Sequence, residues 1–143
     1  MPDILLDFPI QAPALQVFGV LCAPEGLDAW WTRQAEGRPG VGNRYRFFFG
    51  PEYDWAGVMR RYQPSSEVEW EMTDADEDWT GTLVGFRLTP AEKGTHLEFH
   101  HSGWPLTNAH FRTSCYCWAM YLRLLKRYVE QGEVVPYDRR LAV

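Results

Sequence analysis

"FRTSCYCWAMYLRLLKRYV", residues 111–129, decides the fold. Its apolar members Phe111, Cys115, Trp118, Leu122, Leu125 and Val129 follow one another at steps of four, three, four, three and four, which is the period of one helical face. The pattern extends from about Asn108 to Gln131 and stops at Gly132 and Pro136. At about 1.5 Å per residue this predicts a rod of roughly 36 Å. Lys126 and Arg127 stand near its C-terminal end, where cations complement the helix dipole. One long apolar stripe has to be covered by something wide, and a helix of that length spans a whole sheet.

The sheet precedes it. In "EVEWEMT", residues 67–73, Val68, Trp70 and Met72 alternate strictly with Glu67, Glu69 and Glu71, the two-residue period of a strand with one covered face. The same parity is carried by Thr80, Thr82, Val84, Phe86 and Leu88, and after the "AEKG" turn by Thr95, Leu97, Phe99 and His101. "NRYRFFF" and "YDWAGVMRRY" flank a "GPE" turn, and closely spaced turn signals predict an antiparallel meander. Earlier still, "DILLDFPI" alternates as a first strand. Two short helices follow it, one opened by Pro13 and one by Pro24. In the second, Leu27, Trp30 and Trp31 stand at i, i+3 and i+4 and form one stripe. The fold class is therefore α+β. A curved antiparallel sheet of about six to seven strands wraps a long C-terminal helix, within one domain over residues 1–143.

Composition narrows the partners. The chain has 143 residues, 45% hydrophobic and 15% aromatic, so its core must be built largely from rings. A net charge of −5 has the wrong sign for gripping nucleic acid through its phosphates. No apolar run approaches the roughly 20 residues a membrane span needs, and "MPDILLDFPI" does not resemble a secretory signal, so a cytoplasmic protein without a membrane partner is expected. Cys22, Cys115 and Cys117 are an odd count, and the last two diverge on a helix, which argues against a disulfide framework. His96, His100, His101 and His110 lack paired ligand spacing, so neither a metal nor a cofactor is expected. Cys115, on the stripe, reads as a small hydrophobe.

Taken in order, "FPIQAPALQVFGVL", "PEGLDAWWT", "AGVM", "EVEWEM", "WTGTLVGFRLTP", "GTHLEFHHSGW" and "CWAMYLRLLKRYVEQG" resemble the SRPBCC superfamily, with its START-like, helix-grip fold. Within it, the heat-shock-protein-90 ATPase activator homologue-like family is the nearest branch, and the likeness runs from about Ile4 to Gly132. The resemblance implies a cavity between sheet and final helix, where relatives hold lipids, polyketide-like aromatics or other apolar molecules. The family's name comes from a co-chaperone with a further N-terminal domain, and no such domain is expected here. A small apolar or aromatic ligand is thus the expected partner, with a homodimer and a chaperone partner left open.

Parity and stripe together nominate the wall of the cavity that the resemblance implies: Trp70, Met72, Thr82, Val84, Phe86, Leu97, Phe99, His101, Trp118, Leu122 and Leu125, with Tyr121 leaning in from the helix edge and Trp30 of the second helix added at the rim. Whether these rings enclose a ligand pocket of roughly 300 to 1,000 Å³ or fill the space themselves turns on one or two side-chain volumes. Trp31 is expected to seal the second helix to the sheet and Trp30 to sit nearer the cavity mouth. His101 reads either as a hydrogen-bonded core histidine or as a titrating group in a cyclase- or hydrolase-type site. Arg44 and Arg46 alternate with Tyr45 and Phe47, so either parity of that strand could face inward, and Tyr62 could add a hydroxyl. The three glutamates of "EVEWEM" read as a solvated surface. No nucleophile elbow and no phosphate loop is present.

Overall fold

A computed structural model describes all residues, Met1–Val143. The chain runs through β1 (Ile4–Ile10), α1 (Ala14–Cys22), α2 (Pro24–Trp30), β2 (Gln34–Glu36), β3 (Arg44–Gly50), β4 (Tyr53–Gln63), β5 (Glu67–Asp74), β6 (Leu83–Ala91), β7 (Gly94–Ser102) and α3 (Ala109–Gln131). A 3-10 helix, Tyr137–Ala142, follows α3. The seven strands form one antiparallel sheet in the order β1-β7-β6-β5-β4-β3-β2. The first strand therefore lies beside the last, in a register from Ile4 opposite His101 to Ile10 opposite Thr95. Register shifts in the β3–β4 and β4–β5 pairings bend the strands. No helix is long and apolar enough to cross a membrane.

The local chemistry matches the two periods. In β5 Val68, Trp70 and Met72 are fully buried, and the glutamates between them face away. Asn108 caps α3 by accepting from Phe111 N at 2.9 Å, and Gly132 ends it in the left-handed conformation, at φ 70°. Gly85 has a different duty. A side chain there would come within 2.4 Å of the His100 ring, which lies across β6 to reach Glu69 on β5 at 2.8 Å.

Several expectations are corrected. Strand β6 starts at Leu83, so Thr80 and Thr82 belong to the turn before it. The helix α2 stops at Trp30, which leaves Trp31 as its C-cap with a changed direction. On α3 the buried residues are Ser114, Trp118, Leu122, Leu124, Leu125 and Val129, whereas Phe111 and Cys115 are only half-buried. The helix meets α1 and α2 as well as the sheet, so its covered face is wider than one stripe. Lys126 does not serve the helix end: it donates to Pro9 O at 2.6 Å and pairs with Glu130 at 2.7 Å. Glu67 and Glu69 are not freely solvated either, because Arg61, Arg87 and His100 cover them.

The sequence pattern gave no sign of the role of Arg140. This side chain, 2% exposed, donates to Asp28 O at 2.7 Å, Thr32 O at 3.2 Å and Val135 O at 3.0 Å. It thereby satisfies carbonyls at the end of α2. Asp28 in turn accepts from Thr32 Oγ1 at 2.6 Å and Ala35 N at 2.7 Å. Trp30 and Trp31 lie between these two anchors, so the segment that aims both indoles is fixed from two sides.

Candidate functional site

The nominated residues do come together. Trp30, Trp70, Met72, Thr82, Val84, Phe86, Leu97, Phe99, His101, Trp118, Leu122 and Leu125 are each at most 3% exposed, and Tyr121 is half-buried at the edge. Rings occupy the room between them. Trp118 has Phe99 at 4.5 Å, Trp31 at 5.2 Å and Trp79, nearly parallel, at 5.9 Å between centroids. Trp30 meets Phe86 edge-on at 6.2 Å. Between Trp31, Trp79, Ser114, Cys117, Trp118 and Tyr121 a slot of about 60 Å³ remains. That is well short of the few hundred Å³ expected of a ready pocket. Trp31 does join α2 to the sheet, against Phe47 and Phe49, and lines the slot as well, whereas Trp30 lies in the fully buried interior and not at a mouth.

His101 is a fixed node of this interior. The Thr82 hydroxyl donates to Trp79 O at 2.5 Å, and its oxygen lies 2.8 Å from His101 Nε2. Trp118 Nε1 donates to His101 Nδ1 at 3.1 Å. The Thr82 proton is already committed and an indole can only donate, so the ring is neutral with its hydrogen on Nε2. Burial, then the neighbouring His100 and His110, push its pKa down to about 3. Both nitrogens are occupied, which leaves no lone pair for acid/base work on a guest.

Trp79 was overlooked as a site residue. It sits in "DADEDWTG", an acidic turn whose composition signals a loop, and yet it is 7% exposed. Its backbone N–H donates to Asp76 Oδ1 at 2.9 Å. The turn is fastened to the start of α3, where His110 Nδ1 lies 2.9 Å from Asp78 Oδ2 and Asn108 Nδ2 donates to the same oxygen at 3.2 Å. Hydrogen bonds from His110 and Asn108 hold the Asp78 carboxyl below the usual carboxylate range. Trp55 stands against Trp79 at 4.9 Å and Phe49 against Trp31 at 5.4 Å, so the β3–β4 hairpin forms the outer wall. The indole N–H groups of Trp30, Trp70, Trp79 and Trp104 are buried without a protein acceptor.

Other candidates are assigned elsewhere. Tyr45 and Phe47 face inward, while Arg46 faces out, with Asp54 and Glu36 both at 2.8 Å, and Arg44 lies 3.5 Å from Asp74. Tyr62 packs on Phe18. The three cysteines are free thiols, and burial pushes Cys22 up to about 12. Burial also raises Cys117, so the thiol at the slot stays protonated at neutral pH.

Comparison with known proteins follows the same lines. The family model described as "Activator of Hsp90 ATPase homolog 1-like protein" matches residues 11–130. The Aha1 dimer from Colwellia psychrerythraea, solved in solution, is 28% identical with a TM-score of 0.85, covering 93% of this chain and 99% of that one. A protein from Mesorhizobium loti is 19% identical with a TM-score of 0.80, covering 93% of this chain and 100% of that one. DynU16, a protein of the dynemicin biosynthetic locus, is 19% identical with a TM-score of 0.79, covering 95% of this chain and 50% of that one. The last two likenesses concern the fold alone. A comparison with curated protein sequences returns no match.

Proposed function

The chain belongs to the activator of Hsp90 ATPase homolog 1-like family, and from that premise we propose that it binds a small, flat, largely apolar molecule at the slot beside Trp79. The family fold supports a ligand-binding role in general, and this reading assigns that role to the slot. One observation carries the reading. Trp79 walls the slot, hangs on a turn rather than on a strand or helix, and has a buried indole N–H without an acceptor. A guest bearing a carbonyl or ether oxygen would relieve that donor, whose isolation costs about 1–3 kcal/mol. Its plane would stack where Trp79 and Trp118 now stack on each other. Room comes from Trp79 turning outward, which joins its own volume to the slot. Burying about 300 Å² of ligand, against the cost of association, gives micromolar affinity or weaker.

The wider set from Trp70 to Leu125 then forms the rigid backing of the site. A hydrolase or cyclase reading centred on His101 gains no support, because Thr82 and Trp118 hold both ring nitrogens. A second reading concerns assembly: the similar Colwellia protein is a dimer, so we infer that this chain pairs with itself, which sedimentation at micromolar concentration tests.

Coumarin, flat and with a carbonyl acceptor, is a suitable probe, titrated against tryptophan fluorescence and amide shifts. The expected result is saturation with shifts at Trp31, Trp79 and Tyr121. Trp79→Phe, which keeps a ring and removes the N–H, should weaken binding about three- to tenfold. Equal binding by that variant, or shifts elsewhere, would overturn the reading. Native mass spectrometry of freshly purified protein then looks for the natural guest.

A further inference from the structure

Charge is divided unevenly along the chain. Between Ala109 and Gln131, α3 holds four cations, Arg112, Arg123, Lys126 and Arg127, against one carboxylate, Glu130, a balance of +3; the whole chain carries −5, so the other residues sum to −8. Lys126 and Glu130 cancel each other at 2.7 Å, and Glu130 also accepts from Gln11 N at 2.7 Å. Three arginines remain. We propose that the outward face of α3 is a docking surface for an acidic segment of another protein.

At roughly 100° per residue, Arg112, Tyr116, Ala119, Met120, Arg123 and Arg127 fall within one arc of about 100°, turned away from Trp118 and Leu125. None of the six is buried, and Tyr116 is 77% exposed, more than any other Tyr, Phe or Trp. Arg123 has neither a carboxylate nor a carbonyl partner, and Arg112 donates only to Thr107 O at 2.9 Å. Arg127 reaches Glu133 at 3.8 Å, where both side chains are exposed and water screens the pair. Arginine with tyrosine and methionine between is the composition of contact surfaces, and each guanidinium can hold a carboxylate through two parallel N–H donors. From Arg112 to Arg127 the stripe runs about 22 Å, the length of a short partner helix.

Other occupants fit less well. A two-fold contact with a second copy through this face would set arginine against arginine, so the self-pairing inferred above belongs to another surface. The stripe is also narrow. On one side it ends at the seam between α3 and β1, a groove of about 370 Å³ that Arg123 lines together with Asp7, and there the sign of the charge changes. A nucleic acid or an anionic membrane spreads its charge more widely and would meet that carboxylate and the acidic remainder of the chain. A segment with carboxylates along a single line matches the arginines alone.

The probe is a capped helical peptide with glutamates spaced to face Arg112, Arg123 and Arg127 and leucines between them; its counterpart carries glutamine in place of each glutamate. Titration is followed by amide and arginine side-chain shifts. Saturation with a Kd below about 1 mM is expected, with shifts confined to α3 between Arg112 and Arg127. Arg123→Gln should weaken binding about two- to fivefold, the scale of one exposed ion pair. Changing all three arginines to glutamine should abolish saturation while the shifts of Trp118 and His101, inside the fold, stay in place. The proposal is overturned if the glutamate peptide does not saturate, if the glutamine peptide binds as tightly, or if the triple variant binds as the parent does. Tighter binding of phosphatidylglycerol vesicles or of a DNA duplex than of the peptide would overturn it too. Coumarin binding at the slot is independent of all of these.

Discussion

The two flanks of α3 are built on different terms. Toward the concave sheet, Trp118 is enclosed by Phe99, Trp31 and Trp79 and bonded to His101, and about 60 Å³ is left. Toward β1, Leu122 and Ala119 face Leu6 and Phe8 across about 370 Å³. The difference follows from side-chain shape and position. Rings drawn from the sheet, α2 and the acidic turn interdigitate until little volume remains, whereas an edge strand and short side chains leave a trough. A long helix held by a curved sheet does not by itself determine where a guest fits.

The hardest way to break this contrast is Trp118→Ala. Removing the indole opens the packed flank and leaves His101 Nδ1 without its donor, so a loss of about 3–5 kcal/mol is expected in urea unfolding. A loss under about 1 kcal/mol would mean that the inner flank is not packed as described. His101 supplies a pH test. Its folded-state pKa, about 3, lies below the ordinary 6.5. The unfolded chain therefore takes up the proton first, and the contribution is whole above about pH 6.5. It declines as pH falls towards 3, by at most about 1.4 kcal/mol per unit. His101→Leu should flatten that part of the stability profile relative to the parent, although the variant is less stable at pH 7. An unchanged slope between pH 6.5 and 5 would contradict the neutral, buried ring.

These contrasts were unequally legible in the sequence. The periods of β5 and α3 were plain, because strict alternation and a four-three spacing each permit one geometry. The convergence of His101, Trp118 and Phe99 followed from them. What escaped was set by single residues against local pattern. Trp31 ends α2 instead of continuing it, and Trp79, which the strand pattern of "WTGTLVGFRLTP" puts on the outward parity, is carried inward on a turn that Asp78 fastens to His110. Arg140 reaches carbonyls more than 100 positions away, which no local spacing reveals. Whether rings fill a cavity is decided by volumes of one side chain, below what periodicity resolves.

Smaller effects sharpen the picture. Asp78→Asn removes the nearer of the two carboxylates at His110, leaving Asp76 at 3.5 Å, and should speed amide exchange in residues 75–81 while leaving α3 protected; unaltered exchange there would show that the Asp78 tether does not hold the Trp79 turn. Ala119→Leu lies on the open flank and should change stability by no more than about 0.5 kcal/mol, against the large loss one position earlier at Trp118.

Xenon under pressure, followed by methyl and amide shifts of the unliganded protein, tests the contrast most directly. Shifts should concentrate at Leu6, Phe8, Ala119 and Leu122, with Met72, Val84 and Leu97 unmoved. Strong shifts at those three, with a silent seam, would show that the open volume lies inside the sheet and not along its edge.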